Sequence, residues 1–394
     1  MPLSDQQIDT MAREAIQRAS RGDFASAEGL FARIAEERPN SGQAMHLLGQ
    51  ARLKLGRFAD AREPLQRAAQ FLPRDPAAQV NLAGCLTLLG DHGGALVALD
   101  RAARLKPGDA VIAHNRGRAL EALGRVDEAE QAFNEALSID HRLIPSLSAR
   151  AGLLATRGDW MGALADLDMA LTSRPDDAAL KLRRGELLLA QGDWLRGLPD
   201  YEARLELPGL YKPALPRWQG EPLAGKLLVY PEQADIESDA ALRDTLLLAR
   251  GLDRVANPVV ECSERIADFL AMPTVRRGAA LDGFAAAAPL RSLPLLLDWT
   301  LQSLPPPPVP PALPSDDVTG WFRVDEPPAG LRVEHDPMAV PRCRRVVGDD
   351  NWPTCLAARL GIETRLHLSS GADWVWVAVG GVSPWFAALT IERG

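Results

Sequence analysis

Few residues in this sequence have the means to do chemistry, and they do not converge on one reaction. Glu334, His335 and Asp336 form an acid–histidine–acid triplet. Consecutive residues point in different directions and cannot relay a proton among themselves, so a solvated loop is expected. Cys355 could act as a nucleophile if a neighbouring base activated it. No histidine stands near it in the sequence, and a small buried side chain is the better reading. The other cysteines, Cys85, Cys262 and Cys343, make no CxxC pair, so neither a disulfide framework nor a metal site is expected. No P-loop, HExxH or nucleophile elbow occurs. The net charge of −8 argues against a nucleic-acid surface, which needs clustered Lys and Arg to neutralise phosphates. The first residues show no basic stretch followed by an apolar core, and runs such as Leu246–Leu248 and Leu295–Leu297 are too short to span a bilayer. A cytoplasmic, reduced protein with no membrane span is expected.

The elements that hold these residues begin with a repeat. Gly22, Gly56, Gly90, Gly124, Gly158 and Gly192 are each 34 residues apart. Five residues after each stand Ala27, Ala61, Ala95, Ala129, Ala163 and Gly197. Nine residues after each stand Phe31, Leu65, Leu99, Phe133, Leu167 and Tyr201. Seventeen residues after each stand Pro39, Pro73, Pro107, His141, Pro175 and Gly209, with Pro208 one residue early in the last. The glycine predicts a left-handed turn between two helices. The alanine predicts a close helix–helix approach, the leucine or aromatic a filled seam, and the proline a stop to the second helix. Each unit is a helical hairpin that cannot bury its apolar face alone, so stacking must complete the core.

This pattern resembles the tetratricopeptide repeat (TPR), over six repeats and about half the chain. The resemblance implies an α-solenoid, a right-handed superhelix whose concave groove holds a peptide or partner protein. The groove positions it implies lie on the first helix of each hairpin: His46, Gln50, Asn81, His114, Asn115, Arg118, Arg183 and Glu186. Asn81 and Asn115 are equivalent, 34 residues apart. In arrays resembling the O-GlcNAc transferase superhelix, asparagines at this position bond a peptide backbone. The ladder here has two rungs, since Leu47, Ala149 and Arg183 hold the equivalent places. The two asparagines read either as groove contacts or as solvated helix residues.

Beyond Tyr201 the repeat fades. Leu227–Tyr230 reads as a buried strand, 240–251 as a helix, Val255–Val260 as a strand weakened by Pro258, and Ser263–Leu270 as a helix. This alternation predicts parallel strands. Residues 304–314 are a polyproline-type spacer. A helix near 353–360 and strands at Leu366–Leu368 and Trp374–Val379 follow.

Trp218, Gly220, Leu223, Gly225-Lys226 and Leu227–Val229, followed by Glu232-Gln233, resemble the junction in bacterial proteins that fuse TPR repeats to a two-lobed glycosyltransferase of the heptosyltransferase and O-GlcNAc transferase types. Pro289–Pro294, Asp350–Gly361, Asp373-Trp374-x-Trp376 and Ser383–Phe386 match later landmarks of that family in order. The resemblance implies a small α/β Rossmann-like domain of a truncated two-lobed type. Its donor or acceptor site would fall on Glu232, Gln233, Arg243, Asp350 and Thr354, with Thr354 able to cap its helix. The departures fall on the chemistry. Ala234 and Ile236 replace loop glycines that let substrate approach the backbone. Cys355 replaces the family's histidine and Ala358 a glycine. Only 35 residues, 315–349, separate the spacer from Asp350, enough for one or two strands.

The expected organisation is six TPR repeats in 1–209, a Rossmann-like lobe in 210–303, a Pro-rich linker in 304–315 and a remnant second lobe in 316–394. The leading expectation is a protein-interaction adaptor with a non-catalytic glycosyltransferase-like domain, without cofactor. One alternative is an active transferase that uses a nucleotide sugar and modifies a protein such as flagellin or a surface polysaccharide. Another is an assembly factor whose C-terminal half only caps the solenoid.

Overall fold

The computed structural model describes residues 3–249, 252, 255–270, 272–299, 316–322, 333–334, 337, 340, 343–349, 351–359, 362–368 and 389–393. Two compact units divide the chain, Met1–Ser173 and Arg174–Gly394.

The first unit is five helical hairpins in series. They are α1 (Asp5–Ser20) with α2 (Phe24–Glu37), α3 (Gly42–Lys54) with α4 (Phe58–Phe71), α5 (Pro76–Leu88) with α6 (His92–Leu105), α7 (Ala110–Ala122) with α8 (Val126–Ile139), and α9 (Ile144–Thr156) with α10 (Trp160–Ser173). Each second helix packs on the next first helix, as α4 does on α5 and α6 on α7. A solenoid results. The repeated glycines perform one backbone act: Gly22, Gly56, Gly90, Gly124 and Gly158 all have φ between +71° and +84°, a region L-residues enter at a cost. The small and large columns meet as spaced. Ala27, Ala61, Ala95, Ala129 and Ala163 are fully buried, as are Leu65 and Phe133.

Caps fix where the helices start. Asp75 and Asp109, 34 residues apart, accept from Ala77 N and Val111 N, each at 2.9 Å. Asp23, Asp91 and Asp159 do the same for second helices. Arg57 and Arg125 hold the corresponding places in the other two hairpins and instead pair with Asp60 and Glu128. The proline column is not the sole stop. α8 ends at Ile139 in phase with its neighbours although His141 replaces the proline. The hydrogen bond from Asp140 N to Ala136 O closes its last turn.

The second unit opens with the sixth hairpin, α11 (Ala178–Ala190) and α12 (Trp194–Tyr201), with Gly192 at φ +81°. A 3₁₀ turn over Glu202–Glu206 extends α12. The sequence periodicity ends at residue 209, yet the packing boundary falls before this hairpin. Its Leu189, Trp194, Leu198 and Tyr201 share a core with Leu227, Val229, Leu242 and Leu246 of the segment that follows.

That segment builds two parallel sheets. The first has β1 (Lys226–Tyr230), β2 (Pro258–Glu261), β3 (Thr274–Val275) and β4 (Phe284–Pro289) in the order β3-β2-β1-β4. Helix α13 (Asp239–Leu248), buried from Ala241 onward, links β1 to β2. Pro258 is tolerated as the first residue of β2, where no ladder donor is needed. The expected helix over 263–270 shrinks to α14 (Glu264–Ala267), and α15 (Leu293–Leu296) follows β4. The second sheet has β5 (Asp316–Phe322), β6 (Val333–Glu334), β7 (Cys343–Gly348), β8 (Glu363–Leu368) and β9 (Leu389–Arg393), in the order β6-β5-β7-β8-β9. α16 (Trp352–Arg359) precedes β8 and packs against α13. This corrects the expectation of one or two strands before Asp350. Three short strands of seven, two and six residues fit into that span. The expected strand at Trp374–Val379, the spacer at 304–315, the later tryptophan landmarks, and His335, Asp336 and Asp350 lie outside the described residues.

Candidate functional site

In the first unit the polar residues expected in the groove sit on successive first helices. His46 on α3 is buried, and its Nε2 meets the Asn81 amide of α5. Its Nδ1 lies 3.9 Å from Asp75, the cap of α5. Burial pulls the imidazole below its usual pKa, against a smaller opposing pull from Asp75. Asn81 is therefore engaged within the array, holding α3 to α5. Asn115, its equivalent on α7, is half-buried and makes no hydrogen bond among the described residues. Beside it, His114 Nδ1 lies 3.0 Å from Ser146 Oγ of α9. The His114 ring stands 5.7 Å from that of Phe133. Burial, then Arg118, lowers its pKa. Arg118 is exposed and pairs with Glu121 at 3.3 Å. Gln50 is half-buried on α3. Arg183 and Glu186 are exposed on α11 and belong to the other unit. The two expected rungs thus differ: one is spent on internal bonding and one is available.

In the second unit the strand order reverses between β1 and β4. Parallel sheets bind ligands in the crevice at the carboxyl ends of strands flanking such a reversal. Here that place is filled by the chain itself. Arg204, from the 3₁₀ turn after α12, donates from Nε to Glu232 Oε1 at 2.8 Å and from Nη2 to Ser292 Oγ at 2.9 Å. Its guanidinium also pairs with Glu202 and lies 4.4 Å over the Tyr201 ring. Glu232 follows β1 and Ser292 follows β4, so one side chain bridges the reversal. Arg291 donates from Nε to Asp244 Oδ2 at 2.7 Å and from Nη1 to Tyr201 Oη at 2.6 Å, and its backbone N–H reaches Glu232. Gln233 and Arg243 also bond Asp244. Burial opposes ionisation of Asp244, but Arg291 and Arg243 outweigh it and hold the carboxyl below its usual range.

The loop after β1 is tied from its other side. Arg277 donates to the carbonyls of Pro231, Gln233 and Ala234, pairs with Glu261 at 3.0 Å, and stacks 3.8 Å over Tyr211. Loop carbonyls aimed at an arginine are not the backbone N–H groups that cradle a phosphate. Glu232, Gln233 and Arg243 are therefore brought together in a cluster whose charges are paired, while Gln233 Oε1 is buried with no hydrogen-bond partner among the described residues. Thr354 bonds none of Glu232, Gln233 and Arg243. It is fully buried, and its hydroxyl donates to Asn351 Oδ1 at 2.7 Å. Asn351, not Thr354, caps α16, since it also accepts from Thr354 N at 3.2 Å. Cys355 is fully buried, as the small-residue reading expects. Burial pushes the Cys262 thiol up to about 12. Arg204, Asp244, Arg277 and Arg291 are the residues that sequence reading missed. Their only trace was the Pro289–Pro294 landmark that contains Arg291.

One tetratricopeptide-repeat family model matches residues 18–84 and 86–150, and a second matches 149–209. The N-terminal half, through residue 209, is a TPR array. Among curated proteins none matches the chain. Solved structures similar to it include a thermophilic TPR protein of Thermus thermophilus at 28% identity, covering 46% of this chain and 99% of that one with a TM-score of 0.38. A TPR protein of Parabacteroides merdae is 20% identical, covering 51% and 80% with a TM-score of 0.46. Pseudomonas aeruginosa PilF is 18% identical, covering 51% and 92% with a TM-score of 0.45. No helix among the described residues is long and apolar enough to cross a membrane.

Proposed function

We propose that this protein is a protein-interaction adaptor. A polypeptide lies along the first helices of the repeats, with Asn115 and Arg118 as the open polar contacts and Asn81 in a supporting role. The α/β half is a glycosyltransferase-like remnant, and the two parallel sheets with α13 and α16 between them support that descent. The observation that carries the non-catalytic reading is the Arg204 side chain, 94% buried and saturated by Glu232, Glu202 and Ser292 where a nucleotide sugar would enter. Titration calorimetry of the full chain with UDP-, GDP- and CMP-sugars tests it, and no heat of binding is expected. Submillimolar binding or turnover of any donor would refute the remnant reading. For the groove, cross-linking in the native cell should give adducts that Asn115→Ala and Arg118→Ala together remove. Unchanged adducts would place the partner elsewhere.

A capping role has its own support in the core shared by the sixth hairpin and the first sheet. Ending the chain after residue 209 exposes Leu189, Leu198 and Tyr201. Aggregation or loss of the sixth hairpin by hydrogen exchange is the expected result. A monomeric, fully protected six-repeat fragment would remove that role.

A further inference from the structure

We infer a second binding site, for a carboxylate carried on an apolar body, on the face of the first sheet opposite α13. Along β1, Leu227 and Val229 face the core shared with α13, whereas Leu228 and Tyr230 face the other way with Ala287 of β4. A parallel sheet ordinarily buries both faces under helices. On this face the Tyr211–Arg217 segment and the end of the sixth hairpin leave a cavity of about 490 Å³, a size typical of small-ligand sites.

Tyr230 lines this cavity and is 5% exposed. Its ring packs edge-on against Tyr211 at 5.7 Å and 87°. The ring is buried, while its hydroxyl makes no hydrogen bond among the described residues and is not among the buried unpartnered atoms, which leaves it open to the cavity. The charges around it are unevenly spent. Arg217 and Glu202 pair with each other, and Glu202 also takes Arg204 and Ser292. Lys212 donates to the carbonyl of Leu205, a neutral acceptor that leaves its charge uncompensated. Lys181 has only Asp176 at 3.3 Å, whose side chain is wholly exposed. Two ammonium groups and a phenol donor thus face one carboxylate, Glu206, between walls of proline, leucine and alanine. This donor set fits an anion, and the walls fit an apolar body. The cavity borders the filled crevice through Glu202, but Arg204, Glu232, Asp244 and Arg291 do not line it, so it does not depend on the groove or on any sugar chemistry.

Two probes separate the sources of such a carboxylate: 3-phenylpropionate, and the peptide acetyl-Leu-Phe-Glu with a free C-terminus. Each is titrated into the full chain by NMR with labelled tyrosine and lysine side chains. The expected result is saturable shifts at Tyr230 and Lys212 for at least one probe. Peptide binding alone assigns the site to a polypeptide end, and equal binding of both assigns it to small acids. Tyr230→Phe removes a hydroxyl that bonds nothing among the described residues, so folding should be unchanged while affinity falls about fivefold. Lys212→Gln should weaken binding by a similar factor, and more so at low salt. Absence of binding for both probes at about 10 mM of each overturns the inference. So does binding indifferent to both substitutions.

Discussion

The two units spend charge in opposite ways. In the repeats most ion pairs lie on the hairpin surface, as with Arg116–Asp100 and Arg125–Glu128, where both partners stay partly exposed, and Arg150 with the buried Asp166 is an exception. Such pairs contribute little each, and removing one leaves nothing stranded. In the α/β unit Arg204, Glu232 and Asp244 are almost wholly buried, Arg204 pairing with Glu232 and Arg291 linking Glu232 to Asp244. Buried pairs are poor sources of net stability but costly to break, because the surviving charge cannot reach water. The solenoid is thus tolerant polar-side and intolerant core-side, and the second unit is intolerant at its polar centre.

The comparison can be broken most directly at Arg204. Arg204→Ala strands Glu232 and should cost about 3–5 kcal/mol. Urea denaturation followed by hydrogen exchange should place that loss in 174–394 and leave the repeats unchanged. A loss below about 1 kcal/mol would show that the cluster is not interdependent.

Next in size is the small-residue column. Ala95→Leu overpacks the fully buried seam of the third hairpin and should destabilise the first unit by about 1–3 kcal/mol. Gly90→Ala forces an L-residue to φ +79° and should cost about 1–2 kcal/mol. Both are read from the urea midpoint of the first unit. Equal effects on the second unit would erase the distinction between the two.

The smallest effect is a pH dependence of the first unit. His46 and His114 have folded pKa values below their usual one. The unfolded chain therefore takes up protons first as pH falls through about 6.5. Stability is fully present above that value and declines as pH drops toward the lower folded values. His46→Gln with His114→Gln should flatten the decline below about pH 6.5. A decline unaltered in the double variant would assign it to carboxylates instead.

The elements were legible to different depths. The repeats were read to the residue, because each column recurs at one separation and each role is local. In the α/β part β1, α13, α16 and β8 were readable, since each is a compact apolar run or an amphipathic stretch. β4 was not: Phe284–Pro289 is four alanines between a phenylalanine and a proline, a composition that favours helix, and only pairing with β1 makes it a strand. β5 to β7 were undercounted because β6 is only two residues long and sits at the sheet edge. Of the residues expected in a vestigial site, Glu232, Gln233 and Arg243 lie in one ionic cluster, whose members Arg204 and Asp244 the sequence did not single out.

The sequence alone determined the solenoid, because hairpin contacts repeat at a constant spacing and every turn, seam and close approach leaves a periodic mark. It could not determine the centre of the second unit. Arg204 meets Glu232 across 28 residues and Ser292 across 88, and Arg291 meets Glu232 across 59. Separations that occur once leave no pattern, so only the folded chain decided that the end of the last hairpin would occupy the crevice of the sheet.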